Sequence, residues 1–281
     1  MRIKITADST CDLSQELTAR YNIDIISLYV NMDEKAMRDR VEIEPQEIFD
    51  YYERTGKLCF TSACNIGEYL DIFTELRKEY DAVIHFSISS EFSSTHQNAV
   101  LAAQELENVY VFDSRNLTTG QGYLTIRAAE MVEQGMGVEQ ILATLRGELD
   151  KVDTSFLLDQ LEYLYKGGRC SGVAALGANL LKLKPCIEVR DGKMGVGKKY
   201  RGSFDKCVAQ YIRERLADAE SIDTSRVFVT FTSVKEETIK VACDTVRECL
   251  GADCEIILST AGGTVSCHCG PGTLGVILVR K

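Results

Sequence analysis

The sequence predicts an α/β protein of two lobes: a mainly parallel sheet with flanking helices first, then a second α/β lobe. Three observations carry this expectation. The 281 residues exceed the size at which a single hydrophobic core usually stops growing. Short β-rich runs alternate with amphipathic helical patterns, as parallel strands joined by crossover helices require. Apolar residues at 45%, charged residues at 26% and only three prolines suit packed cores and exclude disordered and fibrous classes. The lobes are expected to span 1–153 and 154–281.

In the first lobe, residues 3–7 alternate as a strand. Asp12, three residues before Gln15, reads as the cap of a short helix with Leu13, Leu17 and Tyr21 on one face. Residues 23–30 read as one strand and the charged stretch 33–40 as a loop. Pro45 suits a first helical position, Ile48, Phe49 and Tyr52 form the apolar stripe, and Gly56 ends that helix. Ile66, Tyr69, Leu70, Phe73, Leu76 and Tyr80 recur at spacings of three and four, which turns one helical face inward. Strands at 82–88 and 109–113 and helices at 95–106, 121–134 and 138–149 complete the lobe.

In the second lobe, a short strand at 156–158 precedes a helix at 160–166 that Gly167-Gly168 stops, and a further helix is expected at 171–181. Strands 184–190 and 193–200 flank Asp191-Gly192, a strong hairpin signal. Helices at 203–217 and 235–250 then alternate with strands at 226–232, 254–259 and 275–280, and a Gly-rich loop occupies 261–272.

Charge and patterning exclude several functions. With 32 Lys and Arg against 42 Asp and Glu, the net charge is −10, which disfavours nucleic acid as a partner because that affinity rests on cations meeting phosphates. Residues 1–5 alternate like a strand and carry no export signal pattern. Apolar runs such as 274–279 fall far short of the roughly 18 residues a membrane span needs, so an integral membrane protein is not expected. Eleven scattered cysteines read as reduced thiols of a cytoplasmic protein.

Three loops are candidates for chemistry. Thr61-Ser62 precedes the helix near Ile66, and Ser93-Ser94 precedes the helix containing Gln97. Helix N-termini favour anions, and hydroxyls add donors; ordinary capping, with Ser94 and Gln97 as a capping box, explains the same residues. In the third loop, Cys267-His268-Cys269 suggests zinc, but neighbours on an extended strand point to opposite faces and no second ligand cluster follows. His268 is read there as a hydrogen-bonding group. Asp8-Ser9-Thr10 and Asp113-Ser114 end strands where open sheets place ligands, so they suit magnesium, a sugar, or plain Asx turns. No G-x-G-x-x-G follows the first strand, and no Walker or G-x-S-x-G pattern occurs.

Together, Asp8-Ser9-Thr10-Cys11-Asp12-Leu13, Thr61-Ser62, 89–97 (Ser-Ser-Glu-Phe-Ser-Ser-Thr-His-Gln), Asp113-Ser114, 161–169 (Leu-Glu-Tyr-Leu-Tyr-Lys-Gly-Gly-Arg), Lys184-Pro185 and His268-Cys269-Gly270-Pro271-Gly272 resemble the DegV family from end to end. The resemblance implies a bacterial fatty-acid-binding protein with the carboxylate held by Thr61, Ser93 and His268 and the tail in a buried apolar tunnel. Ser62, Ser94 and Gly270 would support the head group. FakB members present the acid to a fatty acid kinase catalytic subunit, FakA, for acyl-phosphate formation, which casts Arg169 and Arg201 as docking residues. On that reading the chain is not an enzyme, needs no cofactor and no metal, and makes at most transient membrane contact. Ser94 departs from the family's frequent glycine, and Ala63-Cys64 from its commoner Gln-Pro. Two alternatives stand beside this: a small-molecule phosphotransferase related to dihydroxyacetone kinases, and a zinc-binding redox module.

Overall fold

The computed structural model describes residues 1–174 and 183–281. The chain divides into two units. The first comprises Met1–Glu44, Cys59–Asp150 and Asp191–Lys193, the second Pro45–Leu58, Lys151–Arg190 and Met194–Lys281. The main division falls three residues from the expected 153/154 boundary, but the segment Pro45–Leu58 belongs with the second unit and the tip Asp191–Lys193 with the first.

Up to residue 150 the elements are β1 (Ile3–Asp8), α1 (Gln15–Arg20), β2 (Ile23–Ile26), β3 (Tyr29–Met32), β4 (Lys35–Arg38), α2 (Pro45–Thr55), β5 (Phe60–Ser62), α3 (Ile66–Glu79), β6 (Ala82–Ser87), α4 (Thr95–Ala103), β7 (Val109–Asp113), α5 (Thr118–Glu133) and α6 (Val138–Glu148). The parallel sheet of the first unit runs β2-β1-β6-β7, with Ile5 facing both Ile23 and Ile84. Tyr69 and Phe73 of α3 pack with Val83, Ala99 and Ala102 in its core. A small antiparallel sheet, β4-β3-β5, stands beside it in sequence.

Three expectations for this unit are corrected. The single strand at 23–30 breaks at Ser27-Leu28, so β2 and β3 join different sheets. The break is held by side chains: Leu28 N–H donates to Ser9 Oγ at 3.2 Å and Ser27 Oγ to the Asp39 carbonyl at 2.9 Å. The charged loop folds back as β4. Asp12 does not cap α1; it lies in the left-handed region at φ 52° and is fully buried, accepting from Thr118 Oγ1 at 2.6 Å and Arg40 at 3.2 Å. Ser14 is the cap, accepting the Leu17 N–H.

From residue 151 follow β8 (Val152–Leu158), α7 (Glu162–Gly167), α8 (Ser171–Ala174), β9 (Lys184–Arg190), β10 (Lys193–Tyr200), α9 (Phe204–Arg215), β11 (Val227–Thr232), α10 (Glu236–Leu250), β12 (Ile256–Thr260), α11 (Gly263–Cys269) and β13 (Thr273–Val279). The expected helix 171–181 begins as α8, and its remainder lies outside the described residues. The sheet order is β10-β9-β8-β13-β11-β12. Here β11 and β12 are parallel, whereas β13 runs antiparallel to both β8 and β11, and β8 to β9. Alternation of elements alone would have made this sheet parallel. Tyr211 and Ile212 of α9 pack with Val227, Val229, Leu274 and Val276 in its core. The Gly-rich loop is mostly the short helix α11.

Candidate functional site

In the parallel sheet, the chain leaves β1 toward β2 on one side and β6 toward β7 on the other. The carboxyl ends of β1 and β6 therefore form a topological switch point, the place where open α/β sheets bind ligands. Asp8 ends β1, and the loop after β6 carries Ser93 to the start of α4. Ser93 is partly exposed, and its Oγ accepts the Thr95 N–H at 3.2 Å. A hydroxyl has one donor and two acceptor sites, so this bond leaves the Ser93 O–H to donate outward. Ser94, at the cap position, makes no side-chain capping bond. The expected Ser94–Gln97 box does not form: Ser94 has helical backbone, φ −72° and ψ −2°, rather than the extended conformation of a capping residue.

Thr61 lies in the same unit but not at a helix start. It occupies the middle of β5, opposite Val30 of β3, and is partly exposed. The neighbouring Ser62 Oγ accepts from Asn31 Nδ2 at 3.0 Å. The cap of α3 is Asn65, which forms a reciprocal capping box with Glu68. Near this strand is a cleft of about 380 Å³ lined by Ile25, Tyr29, Arg38, Cys64, Glu68 and Ile72 among others. Its polar groups are turned on one another: Glu68 accepts from Tyr29 and from the Asn65 N–H.

The buried acids at the strand ends are consumed internally. Ser9 Oγ donates to Asp39, Thr10 Oγ1 to Gln121, and Asp8 accepts from Tyr69 and the Ile88 N–H. Asp113 Oδ1 accepts the Arg115 N–H at 2.8 Å, an Asx turn. Among the described residues, no group of three His, Cys, Asp or Glu side chains is placed to hold a metal ion. Ten of the eleven cysteines are buried, and burial pushes the thiols of Cys11 and Cys186 up to about 12, away from the reactive thiolate range.

His268 belongs to the second unit. It sits in α11, where successive side chains fan out by helical geometry and Cys267 and Cys269 point elsewhere. A Cβ on Gly167 would lie 2.7 Å from His268 Nδ1, so only glycine lets the end of α7 come this close. Gly270, at φ +74°, closes α11 where a Cβ would lie 2.5 Å from Tyr163. Burial and the nearby Arg169 charge push the His268 imidazole down to about 4, so it is neutral at pH 7. Arg169 is itself exposed and donates to the Gly167 carbonyl at 2.8 Å. Arg201 is exposed in the turn between β10 and α9. Thus Ser93 and Thr61 stand on separate elements of one unit, while His268, Gly270 and Arg169 gather around α7 and α11 of the other.

What sequence reading missed is the buried support behind Ser93. Tyr69, Thr95 and His85 look like stripe or strand residues, and only the fold shows Tyr69 and His85 meeting Asp8 and Thr95 meeting the Tyr69 hydroxyl.

No helix among the described residues is long and apolar enough to cross a membrane. A family model described as uncharacterised protein, DegV family, matches residues 2–281. A protein of Thermotoga maritima named as a fatty acid-binding protein is 32% identical over 292 residues, covering 100% of both chains. A solved structure of a fatty-acid-binding DegV family protein from Thermus thermophilus matches with a TM-score of 0.91 at 31% identity, covering 100% of both chains. A stearic acid-binding protein from Eubacterium ventriosum matches at 0.85 and 27%, covering 99% of this chain and 98% of that one.

Proposed function

Because the chain belongs to the DegV family, we propose that it binds a long-chain fatty acid, holding the carboxylate with Thr61, Ser93 and His268 and enclosing the tail in an apolar tunnel. Ser62, Ser94 and Gly270 support the head group from adjacent positions. The observation that carries this reading is Ser93, placed at the switch point with its oxygen already accepting an amide and its hydrogen left to donate. A buried carboxylate is costly unless hydrogen-bonded. Two hydroxyls and a neutral imidazole N–H offer donors that need no hydration of their own. At about 0.8 kcal/mol per buried methylene, a tail of roughly 14 methylenes contributes on the order of 11 kcal/mol before ordering costs. The tail therefore dominates affinity and the head group fixes orientation.

The bound acid is presented to a FakA-like fatty acid kinase catalytic subunit, which performs the phosphoryl transfer. Arg169 and Arg201, exposed cations on a chain of net charge −10, steer that partner. The chain works in the bacterial cytoplasm, without cofactor or nucleic acid and with at most transient membrane contact.

Protein purified from a bacterial host, denatured and extracted, is expected to yield fatty acid by mass spectrometry. Ser93→Ala, Thr61→Val and His268→Ala are each expected to weaken oleate binding by roughly ten- to a hundredfold, the loss of one hydrogen bond to a charged group. Arg201→Ala is expected to keep oleate affinity while lowering acyl-phosphate formation with kinase subunit and ATP, and Arg169→Ala to lower that formation too. A chain that emerges lipid-free and refuses added oleate overturns the reading. ATP turnover by the chain alone would favour the phosphotransferase instead.

A further inference from the structure

The loop that delivers Ser93 is held at both ends by one buried carboxylate. Asp8 Oδ2 accepts the Ile88 N–H at 3.0 Å, where the loop leaves β6. Asp8 Oδ1 accepts the Tyr69 hydroxyl at 2.6 Å. The phenol has a single hydrogen, and it is spent on Asp8, which accepts only. In the 2.7 Å contact between Tyr69 Oη and Thr95 Oγ1, Thr95 must therefore be the donor. The Thr95 backbone N–H in turn donates to Ser93 Oγ. His85 Nε2 lies 3.2 Å from Asp8 Oδ1, its Nδ1 bonded to Thr6 Oγ1 at 2.9 Å. Asp8, Tyr69, His85 and Thr95 are all fully buried, where such bonds are strong and a missing partner is expensive.

We infer that Tyr69 and Asp8 are positioning residues for the Ser93 hydroxyl: they clasp the loop from Ile88 to Thr95 and orient that hydroxyl for an anionic head group before ligand arrives. The inference rests on the fatty-acid reading and adds to it the groups that set head-group affinity without touching ligand. A hydroxyl held in advance loses less freedom on binding than one that must be ordered. The apolar part of Tyr69 has a separate task, since its ring stacks on Phe73 at 5.5 Å between centroids.

The test is a mutant cycle read by oleate titration, with oleyl alcohol as the ligand lacking a carboxylate. Tyr69→Phe keeps the ring and removes the relay. It is expected to weaken oleate binding about tenfold, to leave oleyl alcohol binding unchanged, and to add nothing once Ser93→Ala is present. Thr95→Val is expected to reproduce the effect, and Thr95→Ser, which keeps the hydroxyl, to restore binding. If Ser93→Ala weakens binding but Tyr69→Phe is silent, or weakens oleate equally in both backgrounds, the positioning role is overturned and the fatty-acid reading stands. If Ser93→Ala has no effect on oleate, the head-group reading falls and this inference with it.

Discussion

His268 is kept neutral by its burial and by the nearby Arg169 charge, and that has a consequence for stability. Its pKa in the folded chain is about 4, against 6.5 for an ordinary histidine. Between those values the unfolded chain binds the extra proton and the folded chain does not. The stabilisation is therefore complete above about pH 6.5 and is lost as pH falls toward 4, at most about 3 kcal/mol from this group. Urea unfolding at pH 7.5 and 4.5 is expected to show a smaller drop for His268→Gln than for the parent; equal drops would mean that the imidazole protonates freely. Ser93 and His268 stood out in the sequence as polar residues beside a helix start and a run of glycines, whereas Thr61, expected just before a helix, lies in the middle of β5. The Asp8 clasp was half legible: its place at a strand end showed, but the use of the Tyr69 hydroxyl did not, because a tyrosine in an apolar stripe reads as packing alone.

Elements were legible where local chemistry settles them. The hairpin between β9 and β10 has Asp191 at φ 51° and Gly192 at φ 77°, the two positive values that a tight primed turn demands. β7 and α2 likewise fall where the strand pattern and Pro45 put them. Elements were lost where tertiary contacts decide. α11 is seven residues bounded by glycines, with buried residues on nearly every side, so it shows no amphipathic period and reads as loop. The break between β2 and β3 depends on Ser9 and Asp39, residues distant in sequence from the strands they divide. At the start of α3, Asn65 was passed over in favour of the hydroxyl pair upstream, although Glu68 three residues later is the standard signal. Asn65→Ala removes one side of that box and is expected to cost about 1 kcal/mol, read as a lower urea midpoint at unchanged slope. An unchanged midpoint would show that the Glu68 contacts alone sustain the helix end.

At the scale of the whole molecule, the run of elements did not show that α2 belongs with the second unit. An apolar stripe says that a helix buries one face; it does not say in which core. α2 is encoded between β4 and β5 of the first unit, yet it serves the second. Ile48, Phe49 and Tyr51 are buried, and Phe49 meets Tyr163 edge-on at 5.9 Å while Tyr52 lies 5.1 Å from the same ring. Tyr163 is also the residue against which Gly270 closes α11, so losing α2 strips the support from the helix that carries His268. Removing a single buried phenylalanine side chain typically costs about 3–5 kcal/mol, comparable to much of a domain's net stability. A fragment of residues 151–281 is therefore expected to unfold without a cooperative thermal transition, and fusion of residues 45–58 to its N-terminus through a flexible linker to restore one. Identical transitions for the bare and fused fragments would show that the second unit closes its core without α2, and that its presence there is incidental to the stability of the α7 and α11 region.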